Sequence, residues 1–282
     1  MILPQPLRRL QWKLGRRLYM AARGEPRSNL PDSSDERYVQ ASVLAATSDQ
    51  EKLTVLDVGA NKGQWSSQFL RLATEARRRP GSLALHAFEP VPATRELCEG
   101  TIAGTQGREC VFLHALALSD SAGIAPMAIW NETAGTNTLS FDDTSVTRAK
   151  RVLQIETQTL DAFLSAQEID HVTLLKIDAE GHDFSVLKGG ESALREERID
   201  VVQFEYSHRW IYSRAFLRDM FRFVENTPYI LARIRNDRLE LLTEWHPELE
   251  RYFDANFALI HPRAEGWFEI HKGRFDGSNS YA

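Results

Sequence analysis

The chain has little cysteine: Cys98 and Cys110 are the only two in 282 residues. They match no metal-ligand spacing and no disulfide framework, so a zinc module and a disulfide-stapled secreted fold are set aside. Both read as plain buried thiols, and a reducing, cytoplasmic location is the expectation. No apolar run approaches the ~20 residues that span a bilayer. Basic excess is lacking as well: the net charge is −5, which disfavours a nucleic-acid binder. The G-x-G-x-x-G dinucleotide fingerprint is missing, which argues against a dehydrogenase. What is present is 43% apolar content, enough for one sizeable core of helices and strands plus an extension.

The densest signal is Thr54-Val55-Leu56-Asp57-Val58-Gly59-Ala60-Asn61-Lys62-Gly63. An apolar run ends in an acid, two glycines bracket a turn, and a helical pattern starts at Gln64-Trp65. A strand feeding such a turn lets a ligand approach the backbone and aims helix amides at anionic atoms. The pattern suits a ligand bearing an ammonium and a carboxylate, as the methionine part of S-adenosylmethionine does. Asp57 is expected on the ammonium side and the turn amides on the carboxylate. Downstream, Ser82 to Phe88 reads as a second strand ending in Glu89-Pro90. In a doubly wound sheet Glu89 would share the carboxyl edge, where an acid can accept both hydroxyls of a ribose. Asp57 alone could be a strand-end turn former, but Asp57, Gly59, Gly63 and Glu89 together indicate a nucleoside-type site.

Alternation continues along the chain. Helices are expected over Tyr38–Ala46, Gln64–Arg78 and Pro92–Ala103, with Pro92 in a first turn. Cys110–Leu118 reads as a third strand. Residues 121–150 are irregular, with a short strand at Met127–Trp130 and loop or weak helix over Ser140–Lys150; such inserts often serve as lids or substrate loops. Val152–Leu160 reads as an extra strand, with Asp161 capping the helix after it. Val172–Asp178 and Asp200–Tyr206 are further strands, and Asp183–Leu194 is helical but interrupted at Gly189-Gly190. A helix at Ala215–Val224, a hairpin over Tyr229–Leu242 turning near Asn236-Asp237 and a last strand at Phe257–His261 complete the succession. This is an α/β fold with a mainly parallel sheet.

The N-terminus differs in character. Arg8, Arg9, Lys13, Arg16, Arg17 and Arg23 fall in the first 24 residues without one acid, among Leu7, Leu10, Trp12, Leu14, Leu18, Tyr19 and Met20. A basic amphipathic helix can lie on an anionic membrane surface. The reading preferred is a cap helix, packed on the domain or on a second subunit. Glu25–Glu36, with Pro26 and Pro31, reads as a linker. The expected organisation is a basic helix and linker over residues 1–37, a catalytic domain over 38–262, and a tail over 263–282; the oligomeric state stays open.

Five blocks in order carry a family resemblance: Val55 to Gly63, Phe88-Glu89-Pro90, Ala115 to Asp120, Leu175-Lys176-Ile177-Asp178-Ala179-Glu180-Gly181, and Gln203-Phe204-Glu205. Over roughly Leu53–Pro262 the chain resembles the FkbM family of S-adenosylmethionine-dependent methyltransferases. The resemblance implies a class I (Rossmann-like) methyltransferase fold, with a seven-stranded sheet whose last strand is antiparallel. It implies O-methylation of a sugar or secondary metabolite, and so a small-molecule or glycan acceptor. It places Asp57, Gly59, Asn61, Gly63, Glu89 and Ala117 on the cofactor. The basic arm lies outside it.

Asp178 ends the fourth core strand, where ligands bind in open α/β sheets. Asp178 or His208, which follows the neighbouring strand, is the candidate base; otherwise Asp178 caps the next helix and His208 is a surface histidine. Lys176 is buried by pattern, so an acidic partner such as Glu205 is expected. Alternatively, Asp178, Glu180, Glu205 and His208 could hold a divalent cation that acidifies the acceptor hydroxyl. Trp130, Tyr206, Trp210 and Tyr212 flank the expected mouth, as ring-stacking faces or ordinary packing. An N-methyltransferase of nucleic acid is disfavoured, because Asp178-Ala179-Glu180-Gly181 stands where that class commonly carries Asn/Asp-Pro-Pro-aromatic. A non-catalytic cofactor-binding or membrane-recruited partner is the remaining reading.

Overall fold

Leu53 and Val55 alternate with Leu56 and Val58 so that one strand feeds two cores. The first pair joins the apolar cluster under Val39, Trp65 and Phe69, and the second joins the cluster of Phe88, Phe163 and Phe204. Period-two alternation with apolar residues on both faces marks a strand covered by helices on both sides. The computed structural model describes residues 4–23, 34–49, 51–133, 135–141, 149–277 and 279–282. Its elements begin α1 (Gln5–Ala22), α2 (Ser34–Ala46), β1 (Leu53–Val58), α3 (Gln64–Glu75), β2 (Leu83–Phe88), α4 (Pro92–Ala103), β3 (Val111–His114), β4 (Ala117–Ser119), β5 (Gly123–Ile129) and β6 (Arg151–Thr159). They continue α5 (Leu160–Ala166), β7 (Val172–Ile177), α6 (Asp183–Lys188), α7 (Glu191–Arg195), β8 (Ile199–Tyr206), α8 (Leu217–Val224), β9 (Ile230–Ile234), β10 (Leu239–Leu241), β11 (Ala255–Ile260) and β12 (Ile270–Lys272).

The main sheet has nine strands in the order β12-β10-β9-β11-β8-β7-β1-β2-β3. From β3 to β9 it contains the expected seven-stranded arrangement, with β11 antiparallel to both neighbours. Two strands extend it: β10, the return arm of the hairpin from β9, and β12, which pairs in parallel with β10. Part of the segment read as a tail therefore lies in the sheet. β1 sits between β2 and β7, and the order reverses there, which opens a crevice at the carboxyl ends.

Three local expectations change. The single strand over Cys110–Leu118 is two: β3 stays in the main sheet, while β4 joins β5 and β6 in a separate three-stranded sheet. Thr159, not Asp161, caps α5, its hydroxyl accepting from the Ala162 amide at 3.1 Å. Asp161 instead caps α7, accepting from the Ser192 and Ala193 amides at 3.0 and 2.9 Å. The helix at Tyr38–Ala46 begins at Ser34, so Glu36 is part of it. Most of the expected linker, and residues 142–148 of the irregular insert, lie outside the described residues.

The arm is an 18-residue helix with no buried side chain. It does not pack along the domain as a cap. Among the described residues it is tied down toward its C-terminal end: Arg23 binds Glu248 at 3.0 Å, the Tyr19 hydroxyl donates to the same carboxylate, and the Tyr19 ring meets Phe253.

Candidate active site

A cavity opens at the carboxyl edge around the β1–β2–β7 reversal. Gly59 and Asn61 line it from the turn after β1, Glu89 and Pro90 from the end of β2, Ala117 and Leu118 from β4, and Asp178 to Glu180 from the loop after β7. Of the residues singled out from the sequence, Gly59, Asn61, Glu89, Ala117, Asp178 and Glu180 meet here. Asp57, Gly63 and His208 do not line the cavity.

Gly59 is required twice over. Its φ is +76°, and a Cβ there would sit 2.0 Å from the Asp178 carbonyl oxygen, so the turn and the end of β7 touch through a missing side chain. The turn amides are engaged otherwise than expected: Gly59 and Ala60 both donate to the Phe88 carbonyl, at 3.2 and 2.9 Å, tying the ends of β1 and β2 together. Gly63 has φ +77° and begins α3, and a Cβ would press on Cys98 Sγ at 3.0 Å. Its role is to let α3 approach α4.

Asp57 points away from the cavity because it shares the face of Leu53 and Val55. It is fully buried, accepts from Ser66 Oγ at 2.6 Å and binds Lys176 Nζ at 2.9 Å. Strand register explains why the partner is Asp57 and not Glu205. Lys176 lies directly across from Asp57 on β1, and across from Gln203 on β8. Lys176 Nζ also donates to the Gly59 carbonyl at 3.2 Å and lies 3.7 Å from Asp178. Burial alone would lower the Lys176 pKa, but Asp57, Asp178 and Glu36 outweigh it and raise it. Glu205 is raised well above the usual carboxylate range, first by burial and then by repulsion from Asp178. Glu36, bonded to Gln203 at 3.1 Å, is pushed up to about 7, again chiefly by burial. Lys176 thus supplies the cation beside Asp57 and Asp178, with the raised carboxyls of Glu36 and Glu205 close by.

Glu89 is buried and raised to about 7 by desolvation, against the pull of the Val91 and Asn61 amides. Its carboxylate accepts from the Val91 amide at 2.8 Å. Asn61 stands at φ +48°, and among the described residues its Oδ1 is buried without a hydrogen-bond partner beside the cavity. A buried acceptor left unpaired is costly, so this atom marks a place for a ligand donor. Gly135 closes over it; a Cβ there would lie 2.6 Å from Asn61 Nδ2.

Asp178 is 40% exposed at the cavity wall. It is not a helix cap, because Asp183 organises that loop: its buried carboxylate accepts from the Ala179 and Gly181 amides at 3.3 and 3.1 Å. Burial, then Asp178, raises Asp183 to about 7. His182 lines the cavity with one ring nitrogen 2.9 Å from Ser119 Oγ and the other 3.0 Å from Ser140 Oγ. Burial lowers it to about 4, so the imidazole is neutral near pH 7. The insert is pinned as a roof: Thr94 Oγ1 donates to the Glu132 carbonyl and Thr138 Oγ1 to the Glu180 carbonyl, both at 2.8 Å. Glu180 pairs with Arg209 on the outer side.

His208 lies outside this group. It follows β8 in a one-turn helix, 59% exposed, with Nδ1 3.8 Å from Asp254. Asp178, Glu180, Glu205 and His208 therefore do not form the cation site considered above, and no three His, Cys, Asp or Glu side chains among the described residues are placed to hold a metal ion. Tyr206 and Trp210 are core residues at 1% and 0% exposure, with the Trp210 indole donating to the Glu205 carbonyl. Sequence reasoning missed Asp183, Asn137, Thr138 and Ser140. Asp183 carried a signal, an acid at a helix start; the insert residues carried none, because only long-range packing brings them over the cavity.

The strand order and the crevice define a class I methyltransferase fold. The chain belongs to the FkbM methyltransferase family: the model described as Methyltransferase FkbM domain matches residues 57–238. Among solved structures it is similar to the FkbM methyltransferase of Methylobacillus flagellatus KT, at 15% identity and TM-score 0.46, over 78% of this chain and 47% of that one. It is also similar to precorrin-6y C5,15-methyltransferase of Geobacter metallireducens GS-15, at 12% identity and TM-score 0.38, over 79% and 87% of the two chains. A putative RNA methyltransferase of Pyrococcus horikoshii matches at 12% identity and TM-score 0.38, over 85% and 86%. The chain thus spans about half the length of the Methylobacillus structure. Among curated proteins none matches it.

Proposed function

We propose that the protein transfers a methyl group from S-adenosylmethionine to a hydroxyl of a sugar or secondary metabolite. The observation that carries this reading is one cavity with Glu89 and Asp178 on its walls and the glycine turn between them. The residues fit the cofactor: a turn without a side chain at Gly59, an unpaired buried acceptor at Asn61 Oδ1, and a strand-end carboxylate at Glu89. When bound, S-adenosylmethionine supplies a methyl group made electrophilic by its sulfonium. Glu89 accepts from the ribose hydroxyls and Asn61 Oδ1 from a cofactor donor. Asp178, in contact with solvent and held by Lys176, takes the proton from the acceptor hydroxyl. Alignment contributes the larger share, about 7–11 kcal/mol, against a factor of about 10²–10⁴ for the base. Transfer of labelled methyl across panels of hydroxylated and amine acceptors tests the reading, and methylation confined to amines would overturn it. Activity on the hydroxyl acceptor is expected to persist in chelator.

Glu89 makes cofactor binding sensitive to pH. Its carboxyl titrates near 7, so cofactor affinity should rise as the pH climbs through 7 and ionises it. Glu89→Ala should weaken binding at pH 8 by about 1.5–3 kcal/mol, and Glu89→Gln should flatten the pH dependence. The raised pKa also means that the folded chain loses stability from this group as pH rises from about 4.5 to about 7. Glu89→Gln should therefore gain in melting temperature over wild type across that window. Calorimetric titration showing equal affinity for wild type and Glu89→Ala would remove Glu89 from the site.

A further inference from the structure

We infer that α1 docks the protein on a bilayer surface containing anionic phospholipid, through a leucine stripe facing away from the body. At 3.6 residues per turn, Leu7, Leu10, Leu14 and Leu18 fall on one narrow stripe. They are 48%, 63%, 57% and 63% exposed. The residues that hold the helix to the body lie about half a turn away on the wheel. Tyr19 and Arg23 reach Glu248, and the Arg16 guanidinium sits 5.8 Å from the centre of the Phe253 ring. The anchorage therefore orients the stripe outward instead of covering it.

Charge decides between occupants. Lys13 and Arg17 border one side of the stripe, Arg8 and Arg9 lie on the polar faces, and the helix contains no acid. A second copy of α1 laid along the stripe would bring like charges together, with no acid to answer them. An anionic headgroup layer answers Lys13 and Arg17 beside the stripe, and these long basic side chains can reach it while the leucines enter the acyl boundary. Among the described residues no helix is long and apolar enough to cross a membrane, so the helix lies on the surface. The surrounding chain carries net negative charge, which leaves α1 as the element suited to this contact.

The test is flotation of the full chain with vesicles of phosphatidylcholine alone and of phosphatidylcholine mixed with phosphatidylglycerol. Binding is expected to the mixed vesicles only, and to be lost when salt shortens the Debye length to about 3 Å. Lys13→Glu and Arg17→Glu should each lower partitioning by at least roughly fivefold, and Leu10→Gln/Leu14→Gln should abolish it. The melting temperature should stay at the wild-type value in every variant, because the replaced side chains are exposed. Absence of binding to mixed vesicles, or binding untouched by these variants, overturns the inference. Sedimentation showing a dimer that Leu10→Gln/Leu14→Gln dissolves would assign the stripe to a second copy instead.

Discussion

Lys176→Met should destabilise the protein by about 3–5 kcal/mol, the cost of leaving a buried charge without its partner. Lys176 and Asp57 are 3% and 0% exposed at the side chain and 2.9 Å apart. Without the ammonium, Asp57 keeps one hydroxyl donor, Ser66, and the Gly59 carbonyl loses a bond from the same nitrogen. Glu36, Asp178 and Glu205 would then face one another and Asp57 with no cation between them. At about 2–4 °C per kcal/mol for a domain of this size, the melting temperature should fall by roughly 10 °C. Adding Asp57→Asn should recover most of the loss, because the double variant buries no unpaired charge. A single variant that melts within about 2 °C of wild type, less than 1 kcal/mol on that scale, would show that water or relaxation already screens the pair.

Asp178→Asn should have the opposite profile, with a large kinetic effect and no loss of stability. Removal of a general base lowers kcat by about 10²–10⁴. The same carboxylate repels Asp183 and Glu205 and attracts Lys176, so neutralising it removes opposing contributions to the folded state. The melting temperature should therefore stay close to wild type while kcat on the hydroxyl acceptor collapses and cofactor affinity stays within about threefold, under 1 kcal/mol. Near-wild-type turnover would reduce Asp178 to positioning. A fall in melting temperature matching the fall in activity would make it structural.

The ends of the strands were legible because their signals are local. Gly59 needs positive φ in a tight turn after an apolar run, Glu89-Pro90 closes the next run, and Asp178 closes another. Each lies within a few residues of its evidence. Asp57 shows the opposite case. Its sequence position beside Gly59 looked like a ligand contact, and its strand parity turned it under α3, where register with β7 supplied Lys176. His208 also sits at a strand end, but the chain beyond β8 carries it to the surface. The roof over the cavity had no local pattern at all, since Thr138, Ser140 and Gly135 acquire meaning only against Glu180, His182 and Asn61.

The sequence by itself determined the alternation of strands and helices, the glycine turn, the acids at the carboxyl edge and the unbroken basic character of the first helix. Propensity, period and turn chemistry act over neighbouring residues and need no partner. Tertiary structure alone decided which acid neutralises Lys176, which candidate base reaches the cavity, what closes over it, and which way the leucine stripe faces. Those outcomes depend on strand order, register and the seating of one element on another, all set by contacts between residues far apart in the chain.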